Sequence, residues 1–210
     1  MQKNEMFTAI TVQRHQLADS LDSLTSEQWD APSLCARWRV RDVLGHLLSI
    51  LEIPTSRFVL GSITARNFNT YADKVARRFG DRDPAALLAS YRSSAGKRFA
   101  PPVVGPIAPL TDVFTHTCDI DVAIGRSPQF NPTAMRTVLE YVCGGKARGF
   151  IPPKRTTGLR FEAVDLGWTL GDGPTISGPA HAILLAVTGR HAGLDHLDGD
   201  GLAILDHRLT

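Results

Sequence analysis

A carboxylate and an imidazole four residues apart are the first feature of this sequence that could do chemistry. Asp112 and His116 have that spacing. At ~3.6 residues per helical turn the two side chains stack on one face, about one turn apart. Such a pair can share one divalent cation, by the geometry that lets two histidines four apart hold zinc. It can equally be a histidine with a favourable acidic neighbour on an exposed face. His46 adds a third candidate. It stands in Val43-Leu44-Gly45-His46-Leu47-Leu48, at the border of an apolar stripe. A histidine there must find a partner or stay neutral, because burying a charged imidazole is costly. Gly45 beside it gives up ~1 kcal/mol of helix propensity relative to Ala. That loss is tolerated where a backbone or a ligand must come close. If the two segments are neighbouring helices, His46, Asp112 and His116 supply three ligands from facing helices. Three protein ligands leave a fourth position open, as in catalytic zinc sites.

The elements that must position these residues are mostly helical. Phe7, Ile10, Val12, Leu17, Leu21 and Leu24 follow a helical stripe. Thr25 opens a short helix with Gln28 as its capping-box partner and Leu24 and Trp29 placed as a staple. Val40, Val43, Leu44, Leu47, Leu48 and Leu51 make the cleanest period in the chain, one core face of a helix that ends or kinks near Pro54. Residues 63–80 read as a weaker helix with a basic patch at Lys74, Arg77 and Arg78 and a stop at Gly80. Asp83-Pro84 starts another, with Asp as N-cap and Pro at the first position, running to about Ala100. Pro101 to Pro109 reads as a loop. A helix from Leu110 to Ile124 follows, closed by Gly125, and Asn131-Pro132 caps one more, with a stripe at Met135, Val138, Leu139 and Val142.

After Gly149 the pattern changes. Leu159, Phe161 and Ala163 alternate with polar residues as a half-buried strand does, and Trp168 and Leu170 continue a second strand towards Gly171-Asp172-Gly173. Ser177 looks like the N-cap of a helix carrying Ala180, Ile183, Leu184 and Val187 and closed by Gly189, and a last strand is expected near Leu202–Leu205. The fold expected is mainly α: a helical bundle over 1–150 followed by a small α+β domain over 151–210.

Composition narrows the partners. With 43% hydrophobic and 21% charged residues in a chain of 210, a sizeable core is available. Lys and Arg number 23 against 21 acidic residues, a net charge of +2 that offers no electrostatic footprint for nucleic acid. No apolar run approaches the ~18 residues of a membrane span, and the first residues lack the solid apolar core of a signal peptide. Three cysteines, Cys35, Cys118 and Cys143, lie far apart without paired spacing. Reduced thiols in a cytoplasmic protein are the expectation. Cys118 stands two residues past His116 and points to another side of the helix, Cys35 packs as a small hydrophobe, and Trp38 anchors its loop to the bundle. His15, His191, His196 and His207 sit in polar surroundings and suit solvated or capping roles. Gly144-Gly145-Lys146 lacks phosphate-loop spacing, no Gly-x-Ser-x-Gly elbow occurs, and Asp198-Gly199-Asp200-Gly201 lacks the further ligands of a calcium loop.

Two motifs match a known family together. The segment from Cys35 through Trp38, Val40 and Asp42 to His46 resembles the C-x-x-W-x-V-x-D-x-x-x-H opening of the mycothiol-dependent maleylpyruvate isomerase family, within the DinB-like metalloprotein superfamily. Asp112, three spacers, His116 and then Asp119-Ile120 resemble its second motif, and Ser177-Gly178 with Leu185 to Arg190 is similar to its C-terminal α+β domain. The resemblance spans nearly the whole chain. It implies a DinB-like four-helix bundle with a small α+β C-terminal domain, and metal ligands at His46, Asp112 and His116. The acidic ligand of the enzyme that names the family is Glu. Asp112, one methylene shorter, draws the helices closer, binds through water, or selects a different metal occupancy.

The chemistry implied is that of a divalent metal, zinc above all, binding the low-molecular-weight thiol mycothiol as its thiolate. The thiolate then attacks an electrophilic small molecule. In an isomerase it adds to a double bond, rotation follows, and elimination releases it; in a transferase it stays attached. Cations would hold the substrate's carboxylates, and Arg190 is the catalytic candidate for that role, against the alternative of a surface arginine after a helix end. Helix-mediated homodimers occur in the superfamily. A reading from another class stays open: a non-catalytic bundle that binds a small molecule or a partner, with metal structural or absent.

Overall fold

The computed structural model describes residues 1–54, 68–148 and 150–209. The start of the helix expected over 63–80 and the transition at Gly149 therefore lie partly outside the described residues. Two compact units are present, Gln2–Ser127 and Pro128–Thr210.

In the first unit, α1 (Lys3–Leu21) packs against α5 (Pro84–Ser94) and α6 (Ile107–Asp121), and α3 (Val40–Glu52) packs against the same two, so that α1, α6, α3 and α5 close a ring. These four helices make the bundle expected of the first part of the chain. Phe7, Ile10, Leu17, Leu21, Val40, Val43, Leu44, Leu48, Leu87, Tyr91, Leu110 and Phe114 fill its core; Val12, counted in the stripe of α1, is 46% exposed instead. A further helix, α4 (Phe68–Gly80), lies along α3 in the most extensive helix pairing of the unit, and the short α2 (Ser26–Asp30) precedes α3. The expected caps are present. Thr25 and Gln28 form a reciprocal capping box, and Asp83 accepts from the Ala86 amide with Pro84 at the first position. Gly125 closes the 3₁₀ turn after α6 in the left-handed region, φ 73°.

Two boundaries differ from the sequence reading. The helix opened by Asp83-Pro84 stops at Ser94, short of Ala100. The loop assigned to Pro101–Pro109 ends early, because α6 starts at Ile107. Pro109 stands in its first turn, where a missing N–H deprives the helix of nothing.

The second unit holds α7 (Pro132–Cys143), capped by Asn131 as expected, and a three-stranded sheet in the order β2–β1–β3. β1 (Arg160–Ala163) pairs antiparallel with β2 (Trp168–Leu170), Phe161 opposite Leu170, and parallel with β3 (Thr175–Gly178), Phe161 opposite Ile176. The buried helix α8 (Ala180–Val187) packs against α7, β1 and β3. Ser177 belongs to β3 and does not cap α8; Pro179 takes that position. The stretch expected as a last strand is instead α9 (Leu202–His207). No helix among the described residues is long and apolar enough to cross a membrane.

Candidate metal centre

His46 rides on α3, whose start is fixed by an ion pair to a buried carboxylate. Asp42, fully buried, receives the Arg39 backbone amide at 3.0 Å and two guanidinium bonds at 2.8 and 3.0 Å. Arg39 also reaches Asp30 and Asp81, and Arg41 donates to the Gly80 carbonyl at 2.7 Å, so α2, α3 and the end of α4 are held together. Gly45 is the point of closest approach. A Cβ there would lie 2.5 Å from the Ala76 carbonyl oxygen and 2.6 Å from the Gly80 nitrogen. The near partner that the sequence suggested for this glycine is a backbone.

Asp112 and His116 come from α6, facing α3. Asp112 Oδ1 lies 3.6 Å from His46 Nε2 and 3.5 Å from His116 Nε2. One ligand-type atom from each of the three side chains falls within 4.8 Å of the others, the only such group of three among the described residues. A tetrahedral ion with bonds of ~2.1 Å sets its ligands ~3.4 Å apart, so the two contacts to Asp112 already have the length of tetrahedral edges. The donor set, two imidazoles and one carboxylate, suits zinc or another borderline divalent ion. Asp112 remains 23% exposed, against 14% and 9% for His46 and His116, which leaves an approach from solvent on the carboxylate side.

The surroundings suit an anionic, oriented site. Burial alone would raise the Asp112 pKa. The polar contact with His46 and the charges of His116, His46 and Arg14 outweigh it and hold the carboxyl below its ordinary range. Arg14 is itself buried on α1 and donates to the Ala95 and Lys97 carbonyls at 3.0 and 2.9 Å. His116 Nδ1 lies 2.8 Å from Oδ2 of the fully buried Asp119. An imidazole that donates there keeps Nε2 free as a lone-pair donor, as second-shell carboxylates commonly arrange for metal-ligating histidines. Trp38 packs beside both imidazoles, its ring centroid 5.1 Å from that of His46 and 6.0 Å from that of His116. Its indole N–H donates to Asp73 of α4 at 2.8 Å, so the loop is anchored as expected and the ring also walls the site.

Sequence reasoning thus named the three converging side chains and did not single out Asp119, Trp38 or Arg14 for them. Asp119 carried a usable signal, the i,i+3 spacing from His116; Trp38 and Arg14 reach the site through long-range packing alone. Cys118 is buried outside the cluster. Arg190 belongs to the second unit, where it donates to the Thr188 carbonyl at 2.9 Å.

Residues 10–102 match the family model described as the mycothiol maleylpyruvate isomerase N-terminal domain. That segment includes His46 and ends before Asp112 and His116. No curated protein matches the chain by sequence. Two solved structures share its fold, each with a TM-score of 0.61 and covering 95% of this chain and 93% of their own: the mycothiol-dependent maleylpyruvate isomerase, at 11% identity, and a histidine-to-alanine mutant of that name, at 10%.

Proposed function

We propose that this chain, whose N-terminal region belongs to the mycothiol maleylpyruvate isomerase N-terminal domain family, is a divalent-metal-dependent enzyme that uses mycothiol against an electrophilic small molecule. One observation carries the reading: ligand-type atoms of His46, Asp112 and His116, from two facing helices, converge within 4.8 Å. His46 and His116 would bind the ion, with zinc the best fit to the donor set, through Nε2, and Asp112 through Oδ1. When bound, the ion lowers the pKa of a coordinating thiol, so that the sulfur is present as thiolate at neutral pH.

The chain's own residues do the rest. Asp119 fixes the tautomer and plane of His116. Trp38 packs against both imidazoles and excludes water from one side. The contact with His46 and the charges of His116, His46 and Arg14 hold the Asp112 carboxyl below its ordinary range. The thiolate sulfur forms a bond to an electrophilic carbon of the substrate. If that carbon belongs to a conjugated double bond, the π pair moves onto the conjugated carbonyl, rotation follows, and loss of the same thiolate gives the isomer; if it carries a leaving group instead, that group departs with its bonding pair and the thioether is the product. A cation would steady the negative charge that develops on addition.

The test begins with metal content of protein purified without added metal, repeated on His116→Ala. Stoichiometric metal in the parent, lost in the variant, together with mycothiol-dependent consumption of an electrophile by the parent, is the expected result. A metal-free parent that is fully folded and inert towards mycothiol would instead mark a non-catalytic bundle.

A further inference from the structure

Arg14 is the one lysine or arginine that the core buries among the described residues, at 5% exposure. Its Nη1 donates to the Ala95 and Lys97 carbonyls, just past the end of α5. Those two bonds explain a donor at this place, but a neutral donor would satisfy the same carbonyls. They do not explain a charge. A buried cation without a counter-ion is costly, and among the described residues Arg14 forms no ion pair. Burial pushes its pKa down, yet a guanidinium keeps its proton at neutral pH. The carboxylate that bears on it is Asp112, across the bundle on α6. Tyr91 of α5 stands with them, its buried hydroxyl without a hydrogen-bond partner. Burial pushes the phenol up, so Tyr91 stays protonated and adds no charge.

The charges around the metal centre can then be balanced. Asp42 is paired with Arg39, and Asp73 with Arg77. Asp121 is two residues past Asp119, ~200° round the helix and on another side of it. What remains at the cluster is Asp112, Asp119 behind His116, two imidazoles and Arg14. A divalent ion held by neutral imidazoles would be neutralised by the two carboxylates alone. Arg14 leaves the assembly one positive charge in excess, in an interior where such an excess is poorly screened. An anion at the open coordination position removes the excess, whereas water or a neutral ligand does not.

We infer that Arg14 is a positioning residue whose buried charge reserves the open coordination position of the metal centre for an anionic ligand, at the cost of affinity for the ion itself. The inference rests on the metal reading of the proposed function and deepens it. It gives the centre a built-in preference for a thiolate over a neutral thiol or water.

The test loads the full chain with cobalt(II), whose visible spectrum reports the ligands of the ion, and uses azide as the anionic probe and imidazole as the neutral one. Cobalt affinity is read by competition with a chelator. Arg14→Gln should bind cobalt about tenfold more tightly and azide about tenfold more weakly, with imidazole unchanged, since a unit charge ~12 Å away at an effective dielectric of ~20 is worth about tenfold in an equilibrium. A residue that served the fold alone would weaken cobalt, azide and imidazole together. That result, or azide binding equal to the parent's, overturns the inference. Asp119→Asn shifts the same balance in the opposite direction and keeps the test decisive if the glutamine variant does not fold. It should bind azide about tenfold more tightly than the parent does, and azide bound no more tightly overturns the inference. A parent that takes up cobalt but fails these azide comparisons leaves the metal centre standing, whereas a folded parent that takes up no cobalt overturns both.

Discussion

Replacing Gly45 by Ala tests the packing on which the metal centre depends. On helix propensity alone the change should stabilise α3 by ~1 kcal/mol. The structure reverses that sign. The new methyl would stand 2.5 Å from the Ala76 carbonyl oxygen and 2.6 Å from the Gly80 nitrogen, both backbone atoms that no rotamer change can move. Ordinary contact begins near 3.4 Å, so α3 and α4 must separate by about 0.9 Å. Overpacking of this kind costs ~1–3 kcal/mol, and rigid backbone on both contacts puts it at the upper end. Subtracting the propensity gain leaves a net loss of ~1–2 kcal/mol. For a protein of this size that is a fall of ~2–8 °C in Tm. Differential scanning calorimetry of metal-free protein reads it, with Gly96→Ala as the control, since nothing lies within 4 Å of a Cβ at Gly96. His46 follows Gly45 directly, so metal affinity should fall with stability in the variant. A Gly45→Ala protein as stable as the parent, or more so, would refute the close approach of the two helices.

Asp119→Asn keeps the shape of the buried side chain but removes the charge beside His116 Nδ1, and should weaken metal binding about ten- to a hundredfold in competition with a chromophoric chelator; unchanged affinity would leave Asp119 a structural residue only. Asp121 makes a pH prediction. Burial, opposed by Arg126, pushes its carboxyl up to about 6, and its Oδ1 has no hydrogen-bond partner. The native state therefore holds a proton that the unfolded chain releases near ~4, so this group's contribution to stability is present below about pH 4 and is lost as pH rises through about 6. Asp121→Asn should flatten that slope and raise the unfolding free energy at pH 7.5 by ~1–2 kcal/mol, measured in urea, whereas equal slopes in parent and variant would count against it.

What could be read from the sequence was whatever local physics decides. The stripe of α3, the caps at Thr25, Asp83 and Asn131 and the i,i+4 pair at Asp112 and His116 are each set within a few residues, and each is found in place. Errors arose where local signals were degenerate. Leu202-Ala203-Ile204-Leu205 is a four-residue apolar run that fits a buried strand or a helix equally, and tertiary packing made it α9. Ser177 has the chemistry of an N-cap, but pairing with β1 took it into a strand and left Pro179 at the helix entrance. Prolines hid the start of α6, because Pro101 to Pro109 reads as loop until the first turn of a helix is seen to need no donor there.

The site itself divides in the same way. Its ligand atoms come from two helices with legible faces, but the order imposed on them does not. Trp38 is aimed by a bond to Asp73, thirty-five residues away, and Asp73 in turn pairs with Arg77 on the same helix. Arg77 donates to the carbonyl of Arg37, the one non-glycine residue with positive φ among the described residues, at 71°. A strained residue held by a long-range bond, next to an aromatic ring that packs on two metal-type ligands, is how a fold spends stability on orientation. Composition and periodicity carry no trace of such a choice, since only the folded arrangement of α3, α4 and the loop before α3 brings these groups within reach.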